Sequence, residues 1–220
     1  IDDASTDATR ALVRARIGDD ARLRLIERSE KRGLGDAYRE SFRLGISEGY
    51  DLLVQLDADL SHDPAALPLM LAVAEQGIGV VIGSRYIPGG TVTGWPRRRT
   101  WLSRWANRYV AVMLGLAVND ATAGYRVYRS EALTTIGLDD LQASGYGFQV
   151  EMTYRAVRAG LGVVEIPIAF RDRVAGQSKM DRRIVAEAFR LVTAWGVRDA
   201  LSLHRRQRAY RTSDTPTGTP

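Results

Sequence analysis

The fold is decided by residues 51–59, DLLVQLDAD, in which an apolar run ends at two carboxylates. A short apolar run bounded by charged residues is typical of a buried strand. Helical patterns flank it at 36–48 and 64–76, and a second apolar run follows at 79–83. Because strands that alternate with helices of this length form βαβ units, we predict an α/β domain with a mostly parallel sheet flanked by helices.

The remaining pattern extends this single domain. We predict further strands at 23–27, 125–128 and 162–168, further helices at 8–17, 101–116, 148–159 and 180–203, and loops at 88–96 and 171–179. The chain opens on what reads as the end of a strand, so we expect the domain to be incomplete there, with a strand and a helix before residue 1. We therefore divide it into an α/β domain (1–180), an amphipathic basic helical segment (181–211) and a disordered tail (212–220).

Composition excludes several classes of protein. The 220 residues are 45% hydrophobic and 26% charged, with 31 Lys and Arg against 26 Asp and Glu, which is ordinary for a globular domain. The absence of cysteine excludes disulfide frameworks, thiolate metal sites and cysteine nucleophiles. The longest apolar stretch, 110–118, is shorter than the ~20 residues of a membrane-spanning helix. The basic helix at 180–203 either packs onto the sheet or lies on an anionic membrane surface.

Asp57 and Asp59 are the candidate metal ligands. Ligands of an open α/β sheet bind beyond the carboxyl ends of its strands, and both residues follow the first apolar strand directly. Two carboxylates on alternate residues can hold one Mg²⁺ or Mn²⁺, with diphosphate oxygens as further ligands. The same residues could instead cap the strand or the next helix, because short acidic motifs match often by chance.

Other polar residues fall at the same edge. Asp3 follows the first strand end, where its carboxylate could bind a base N–H or a ribose hydroxyl, or its own turn. The cations Arg85, Arg99, Arg173 and Lys179 lie in or beside loops. Each could bind phosphate, and each could equally be a solvated surface charge. His62 is more typical of a loop or capping residue than of a ligand.

A longer set of motifs runs through residues 1 to about 180. In order, these are Asp2-Asp3-x-Ser5, Arg32-Gly33-Leu34-Gly35-x-Ala37-Tyr38, Asp57-Ala58-Asp59-Leu60-Ser61-His62, Gly83-Ser84-Arg85-Tyr86, Gly89-Gly90, Trp95-Pro96, Arg99, Ser103, Asn107, Asp120-x-Thr122-x-Gly124-Tyr125-Arg126, Gly147-Phe148-x-x-Glu151 and Pro167-x-x-Phe170-x-x-Arg173-x-x-Gly176-x-Ser178-Lys179. The set resembles the polyprenol-phosphate (dolichol-phosphate) mannose synthases of glycosyltransferase family 2, which have the Rossmann-like GT-A fold. It is most similar to actinobacterial members.

The resemblance implies an activity and a site. The family transfers mannose from GDP-mannose to a polyprenyl phosphate, inverts the anomeric centre and needs Mg²⁺ or Mn²⁺. The positions that match its site are Asp57 and Asp59 for metal and diphosphate, Asp3 for the base, Arg85 for the nucleotide sugar, and Arg99, Arg173, Ser178 and Lys179 for the acceptor phosphate; by the same match Asp59, Arg99, Arg173 and Lys179 are the catalytic set. Ser61 stands where some members have a glutamine metal ligand, and is a weak ligand candidate.

The chemistry is consistent with a site that lacks cysteine and is poor in histidine. A phosphate monoester is already ionised near neutral pH, with a second pKa of about 6, and needs no general base. We expect the protein at the cytoplasmic face of the membrane, with a membrane-anchoring protein as a further candidate partner and no nucleic acid. The alternatives are a related transferase that uses UDP-glucose or another nucleotide sugar, and a noncatalytic nucleotide-sugar-binding subunit or inactive fragment. Family members also open with a nucleotide-contacting Pro-x-Tyr-Asn-Glu-like motif that would precede residue 1.

Overall fold

The computed structural model describes residues 1–143, 145, 147–173 and 182–213, without the side chains of 182–184 and 203–213. Its helices are α1 (Thr9–Asp19), α2 (Leu34–Ser47), α3 (Leu67–Glu75), α4 (Arg97–Leu114), α5 (Ser130–Ile136), α6 (Gly147–Arg158) and α7 (Arg182–Ser213). Its strands are β1 (Leu52–Gln55), β2 (Val80–Ser84), β3 (Thr91–Thr93), β4 (Arg126–Arg129), β5 (Val163–Pro167) and β6 (Ala169–Arg171). Short 3-10 turns occur at Pro64–Ala66 and Leu138–Asp140.

The main sheet has the strand order β1-β4-β2-β5. Strands β2 and β5 pair in parallel, whereas β4 runs antiparallel to both β1 and β2. Three strands therefore share one direction, and the predicted strand at 125–128 enters the sheet between them in the opposite direction. It can do so because the chain re-enters at the carboxyl end of β2, where the Gly83 N–H donates to the Tyr125 carbonyl, and no crossover back to the start of the sheet is needed.

Two predictions about strands were wrong. Residues 23–27 do not form a strand: only Glu27 pairs, in an isolated parallel bridge with Asp2. The loops predicted at 88–96 and 171–179 contribute residues to an unpredicted two-stranded parallel ribbon, in which Thr91–Thr93 of β3 pairs with Ala169–Arg171 of β6. Strands of three residues are too short to show an alternating pattern in sequence, which explains why this ribbon was missed.

The core follows the two-residue alternation of the central strands. In β2, Val80 and Ile82 face one apolar cluster with residues of α2, α4, α5, α6 and α7. Val81 faces the other cluster, which is centred on Met70 and Ala74 of α3. The sheet is thus covered by helices on both faces, as predicted, and its polar strand ends are left at one edge.

Local signals fix the ends of the helix that borders the site. Helix α4 follows Pro96, and Gly115 ends it in the left-handed conformation with φ of 62°, which glycine adopts without steric cost. Before α3, the Asp63 carboxylate accepts a hydrogen bond of 2.9 Å from the Ala65 N–H. These caps place the loops that carry the polar motifs at the carboxyl edge of the sheet.

Helix α7 packs back onto the domain. Val192 and Trp195 are buried, and the Trp195 ring stacks on Tyr154 of α6 at a centroid distance of 5.4 Å. Of the two predicted fates for this segment, packing is therefore observed for its first half. The helix runs to Ser213, two residues beyond the predicted end of the segment, and residues 214–220 of the predicted tail lie outside the described residues. Within the described part of the chain, no helix has the length and hydropathy needed to cross a membrane.

Candidate active site

A groove of about 250 Å³ lies at the carboxyl ends of β1 and β2. Helices α4 and α7 form its apolar walls, with Leu102, Ala106, Tyr109, Val110, Val185, Ala188, Phe189 and Val192. Its polar end is lined by Asp57, His62, Arg85, Arg99, Thr122 and Arg173. This α4–α7 groove therefore joins a hydrophobic channel to a cluster of charges.

Asp57 lies at the polar end of the groove, and its carboxylate accepts one long hydrogen bond from a described side chain. Tyr38 of α2 donates a long hydrogen bond of 3.4 Å to Asp57 Oδ1, and burial raises the pKa of Tyr38 well above its ordinary value, so the phenol remains a donor. On the other side is Gly124, where an added Cβ would lie 3.5 Å from Asp57 Oδ2. The glycine leaves this face of the carboxylate open.

Asp59 sits on a tight turn beside Arg173. Its Oδ1 accepts the Ser61 N–H at 3.1 Å, and its Oδ2 lies 3.7 Å from Arg173 Nε. Burial acts to raise the pKa of Asp59, but the Ser61 hydrogen bonds and the nearby Arg173 charge outweigh it, and the pKa is lowered. The turn requires Leu60 to adopt a left-handed φ of 63°, a conformation that costs a non-glycine residue about 1–2 kcal/mol.

Asp57 and Asp59 suit a hard divalent cation. The described residues contain no group of three or more His, Cys, Asp or Glu that could hold a metal by themselves. Two carboxylates with open oxygens are what Mg²⁺ uses when waters and substrate phosphates supply its other ligands. The Ser61 hydroxyl is buried and lies 3.5 Å from His62 Nδ1, a contact that competes with its weak candidacy as a ligand.

His62 is a wall of the site, which its sequence context did not indicate. Its ring is buried between Tyr125 and Phe170, at centroid distances of 5.3 and 5.4 Å. Burial lowers the pKa of His62 below its ordinary value, so the imidazole is neutral at pH 7. Its backbone also forms an isolated bridge with Phe170, which ties the Asp59 turn to β6.

Arg85 is bound within the protein. Its Nε and Nη2 each donate to Asp120 at 2.7 Å, and Nη2 also donates to Thr122 Oγ1 at 2.9 Å. Asn107 completes the cluster, with its amide nitrogen 3.0 Å from Thr122 Oγ1. Arg85 therefore lines the groove while two of its nitrogens are already hydrogen-bonded within the protein. The polar motif around Asp120 holds its guanidinium in position.

Asp172 organises the cations of the groove, and the sequence analysis did not identify it. Its Oδ1 accepts hydrogen bonds from Trp95 Nε1 at 3.2 Å, Arg99 Nη1 at 3.3 Å and the Arg173 N–H at 3.1 Å. The Arg99 guanidinium also lies over the Trp95 ring, 3.9 Å from its centroid. Arg99 and Arg173 are thus brought together with Asp59, whereas the predicted Ser178 and Lys179 lie outside the described residues.

Asp3 lies outside the groove lining. Its Oδ1 accepts Arg28 Nη1 at 2.9 Å, and its two oxygens receive the Arg32 and Gly33 N–H groups at 3.3 and 3.4 Å. It therefore holds the turn that leads into α2. Leu34, the next residue of that turn, does line the groove.

A second cavity of about 450 Å³ lies between α6 and α7. It contains none of the predicted site residues. Two of its arginines have internal partners, since Arg155 Nε donates to Glu151 at 2.9 Å and Arg158 pairs with Asp199. We do not place the chemistry there.

Comparison with known proteins agrees with this assignment of the fold. The glucosyl-3-phosphoglycerate synthase of Mycobacterium tuberculosis, solved with phosphoglyceric acid, matches with a TM-score of 0.58 at 19% identity. The match covers 88% of this chain and 66% of that one, so this chain spans slightly less than two thirds of that structure. The fold is that of a GT-A glycosyltransferase.

Residues 1–137 match the family described as Glycosyl transferase family 2. The chain is 46% identical over 197 residues to the undecaprenyl-phosphate mannosyltransferase of Micrococcus luteus, covering 90% of this chain and 81% of that protein. It is 44% identical over 206 residues to the polyprenol monophosphomannose synthase of Mycolicibacterium smegmatis, covering 93% and 78%. The chain belongs to glycosyltransferase family 2 and is a glycosyltransferase, which confirms the resemblance noted in its motifs.

Proposed function

We propose that this chain transfers mannose from GDP-mannose to a polyprenyl phosphate, with inversion at the anomeric carbon and with Mg²⁺ or Mn²⁺ bound at Asp57 and Asp59. The observation that carries the proposal is the α4–α7 groove, which joins an apolar channel to a charged end. An acceptor that is both a long hydrocarbon and a phosphate matches both parts. The names of the two curated relatives specify a polyprenyl acceptor and a mannosyl group.

The apolar walls suit the isoprenoid chain of the acceptor. Ala106 and Val110 of α4 face Ala188 and Val192 of α7 across the groove, and small and branched aliphatic side chains leave room for a branched hydrocarbon. Burying such a chain contributes roughly 25 cal/mol per Å² of apolar surface. The acceptor phosphate would then be directed to the charged end.

Arg99 and Arg173 are the described cations that can receive that phosphate. Each contacts Asp172 or Asp59 through only part of its guanidinium, so other N–H donors remain. Ser178 and Lys179 would add to this set. Together they would offset the repulsion between the acceptor phosphate and the donor diphosphate, and hold the acceptor oxygen in line with the anomeric carbon.

The donor would lie at the carboxylates. Bound there, the cation would neutralise the charge that develops on the departing diphosphate. Asp57 and Asp59 would hold it, and Arg85, fixed by Asp120, would face the groove beside them. Asp3, beside the turn that leads to Leu34, would bind the base. The new bond forms from the acceptor oxygen as the bond to the diphosphate oxygen breaks, and GDP leaves.

The outer face of α4 supports a peripheral position on the membrane. Trp101, Trp105 and Val112 are exposed there, and four exposed arginines share or border the face: Arg97, Arg98, Arg104 and Arg108. Tryptophan and arginine together favour the interface of an anionic bilayer. The acceptor, a lipid, would reach the groove from the same surface. We place the protein on the cytoplasmic face, where nucleotide sugars are available.

A transfer assay tests the proposal. The chain is incubated with radiolabelled GDP-mannose, a short polyprenyl phosphate in detergent, and Mn²⁺ or Mg²⁺. We expect a labelled lipid product with the inverted anomeric configuration by NMR, and no product with EDTA. Transfer from UDP-glucose in place of GDP-mannose would overturn the donor assignment, and failure with every donor would overturn the proposed transfer to polyprenyl phosphate.

The matched variants are Asp59→Asn and Asp63→Asn. Asp59→Asn removes one proposed ligand charge and should lower metal-dependent turnover by at least ~100-fold with a near-native circular dichroism spectrum. Asp63 is a nearby capping residue, so Asp63→Asn should retain turnover. Wild-type activity in Asp59→Asn would remove Asp59 from the metal site.

A further inference from the structure

Gln149 is a buried amide in the wall of the groove, and its side chain has no hydrogen-bond partner in the described part of the chain. It lies in the first turn of α6, lines the α4–α7 groove, and is only 2% exposed. Among the residues that the structure describes, neither its Nε2 nor its Oε1 has a hydrogen-bond partner. Its backbone carbonyl, in contrast, accepts a hydrogen bond from the Thr153 hydroxyl at 3.0 Å. The side-chain amide is therefore the part of Gln149 that is without a described partner.

Burying an amide without a hydrogen-bond partner lowers the stability of the fold. Buried polar side chains are nearly always hydrogen-bonded, because their desolvation is otherwise uncompensated. A leucine or methionine would fill the same space without that penalty. An unpaired amide at the wall of a binding groove therefore points to a partner that arrives with the ligand.

The contacts of its chain neighbours place Gln149 between the two parts of the groove. An added Cβ on Gly147 would lie 3.6 Å from the Ala188 Cα on the apolar wall of α7. The Phe148 ring stacks on Tyr38 at 6.0 Å, and the Tyr38 hydroxyl donates to Asp57. The first turn of α6, which carries Gln149, thus contacts both the apolar wall of α7 and the Tyr38–Asp57 pair.

We infer that Gln149 binds hydroxyl groups of the hexose that is transferred. The inference rests on the proposed function, because only the transferred sugar lies between the leaving diphosphate and the acceptor phosphate. A primary amide has two N–H donors and a carbonyl acceptor, which complements adjacent sugar hydroxyls. A site built to hydrogen-bond a hydroxyl discriminates strongly against ligands that lack it. Gln149 is therefore a sugar-binding and specificity residue.

The test compares Gln149→Met with wild type and with Gln76→Met. Methionine conserves length and volume while removing both polar atoms. Gln76 is the control, since it carries the same amide, is exposed at the end of α3, and is not among the groove-lining residues. Binding of GDP and of GDP-mannose is measured calorimetrically with Mn²⁺, and kcat and KM are measured with polyprenyl phosphate.

We expect Gln149→Met to bind GDP as wild type does and to lose the part of the affinity that the mannosyl group adds. Its kcat/KM for GDP-mannose should fall by about tenfold or more, the effect of losing one or two hydrogen bonds to substrate. Its melting temperature should stay the same or rise, which separates the loss from misfolding. Gln76→Met should keep wild-type stability and wild-type kinetics.

Equal kinetics in Gln149→Met and wild type would overturn the inference while leaving the proposed function intact. A parallel loss of GDP and GDP-mannose binding would also overturn it, because Gln149 would then serve the nucleotide or the fold. If wild type itself transferred no hexose to polyprenyl phosphate, the proposed function would fall, and the inference with it. Deoxy analogues of the donor extend the test: the hydroxyl that Gln149 binds is the one whose removal no longer matters in the variant.

Discussion

At the scale of single residues, the site is built by carboxylates that fix arginines. Asp120 holds Arg85 through two parallel bonds of 2.7 Å, and Asp172 accepts from Trp95, Arg99 and the Arg173 backbone. Planar arginine forks paired in this way lose side-chain freedom before any ligand arrives. The side chains of Arg85 and Arg99 are therefore held in place in the groove before the phosphates that we propose would bind.

Asp120→Asn tests the Arg85 pair. Removing the charge leaves a buried guanidinium without its counterion, so we expect a loss of about 3–5 kcal/mol in the free energy of unfolding, measured by urea denaturation. Asp139→Asn is the control, because Asp139 pairs with Arg43 at the surface and its loss should cost less than about 1 kcal/mol. Equal effects of the two changes would mean that the buried pair contributes no more than an exposed one.

At the scale of elements, α4 and α7 touch closely enough to set the width of the groove. At Gly196 of α7, an added Cβ would lie 2.5 Å from the backbone oxygen of Met113 on α4. No side chain fits at that distance without moving a helix, so the glycine is what lets the two helices approach. The groove width thus depends on one position outside its lining.

Gly196→Ala should therefore destabilise the protein and impair transfer. We expect a loss of about 1–3 kcal/mol from overpacking, read as a lower midpoint in thermal unfolding, together with a higher KM for the lipid acceptor. Gly18→Ala in α1 is the matched control, since nothing lies within 4 Å of an added Cβ there and alanine favours helix by up to ~1 kcal/mol. A Gly196→Ala protein as stable as Gly18→Ala would contradict the close packing of α4 on α7.

We expect the outer face of α4 to bind anionic membranes. Trp101 is 67% exposed and does not line the groove, so Trp101→Ala should leave the fold intact and weaken sedimentation with phosphatidylglycerol vesicles by several-fold. Leu69→Ala on α3, 55% exposed, should bind vesicles as wild type does. Unchanged binding of Trp101→Ala, or equal loss in both variants, would remove α4 as the membrane-facing element.

At the scale of the whole molecule, nucleotide and metal should stabilise the domain together. Binding to the folded state alone adds about 2.7 kcal/mol at a ligand concentration of 100 Kd, which corresponds to a rise of roughly 5–10 °C for a domain of this size. We expect that rise with GDP-mannose and Mn²⁺ in combination, measured by scanning fluorimetry. The same rise without metal, or in Asp59→Asn, would contradict binding through Asp57 and Asp59.

Much of the architecture could be predicted from sequence, because the central strands are continuous apolar runs and the helices have clear periodicity. The direction of β4 could not be predicted, since it depends on which end of the sheet the chain re-enters. Asp172 was missed because its side-chain partner Trp95 lies 77 positions away in sequence. The burial of His62 and Gln149 likewise results from packing between distant segments. The local sequence pattern identifies which polar residues follow the ends of strands. Which of these residues contact one another depends on the fold.

Helix α4 faces two environments at once: Trp101 and its arginines point outward, while Ala106 and Val110 line the groove. In the membrane position that we propose, the enzyme would meet its acceptor by lateral diffusion within a leaflet. The concentration of polyprenyl phosphate that sets the rate would then be its mole fraction in the bilayer. Adding inert lipid at a constant total amount of acceptor should therefore lower the reaction rate. Diluting the vesicles and the enzyme together in buffer should leave the rate unchanged until the protein dissociates from the membrane.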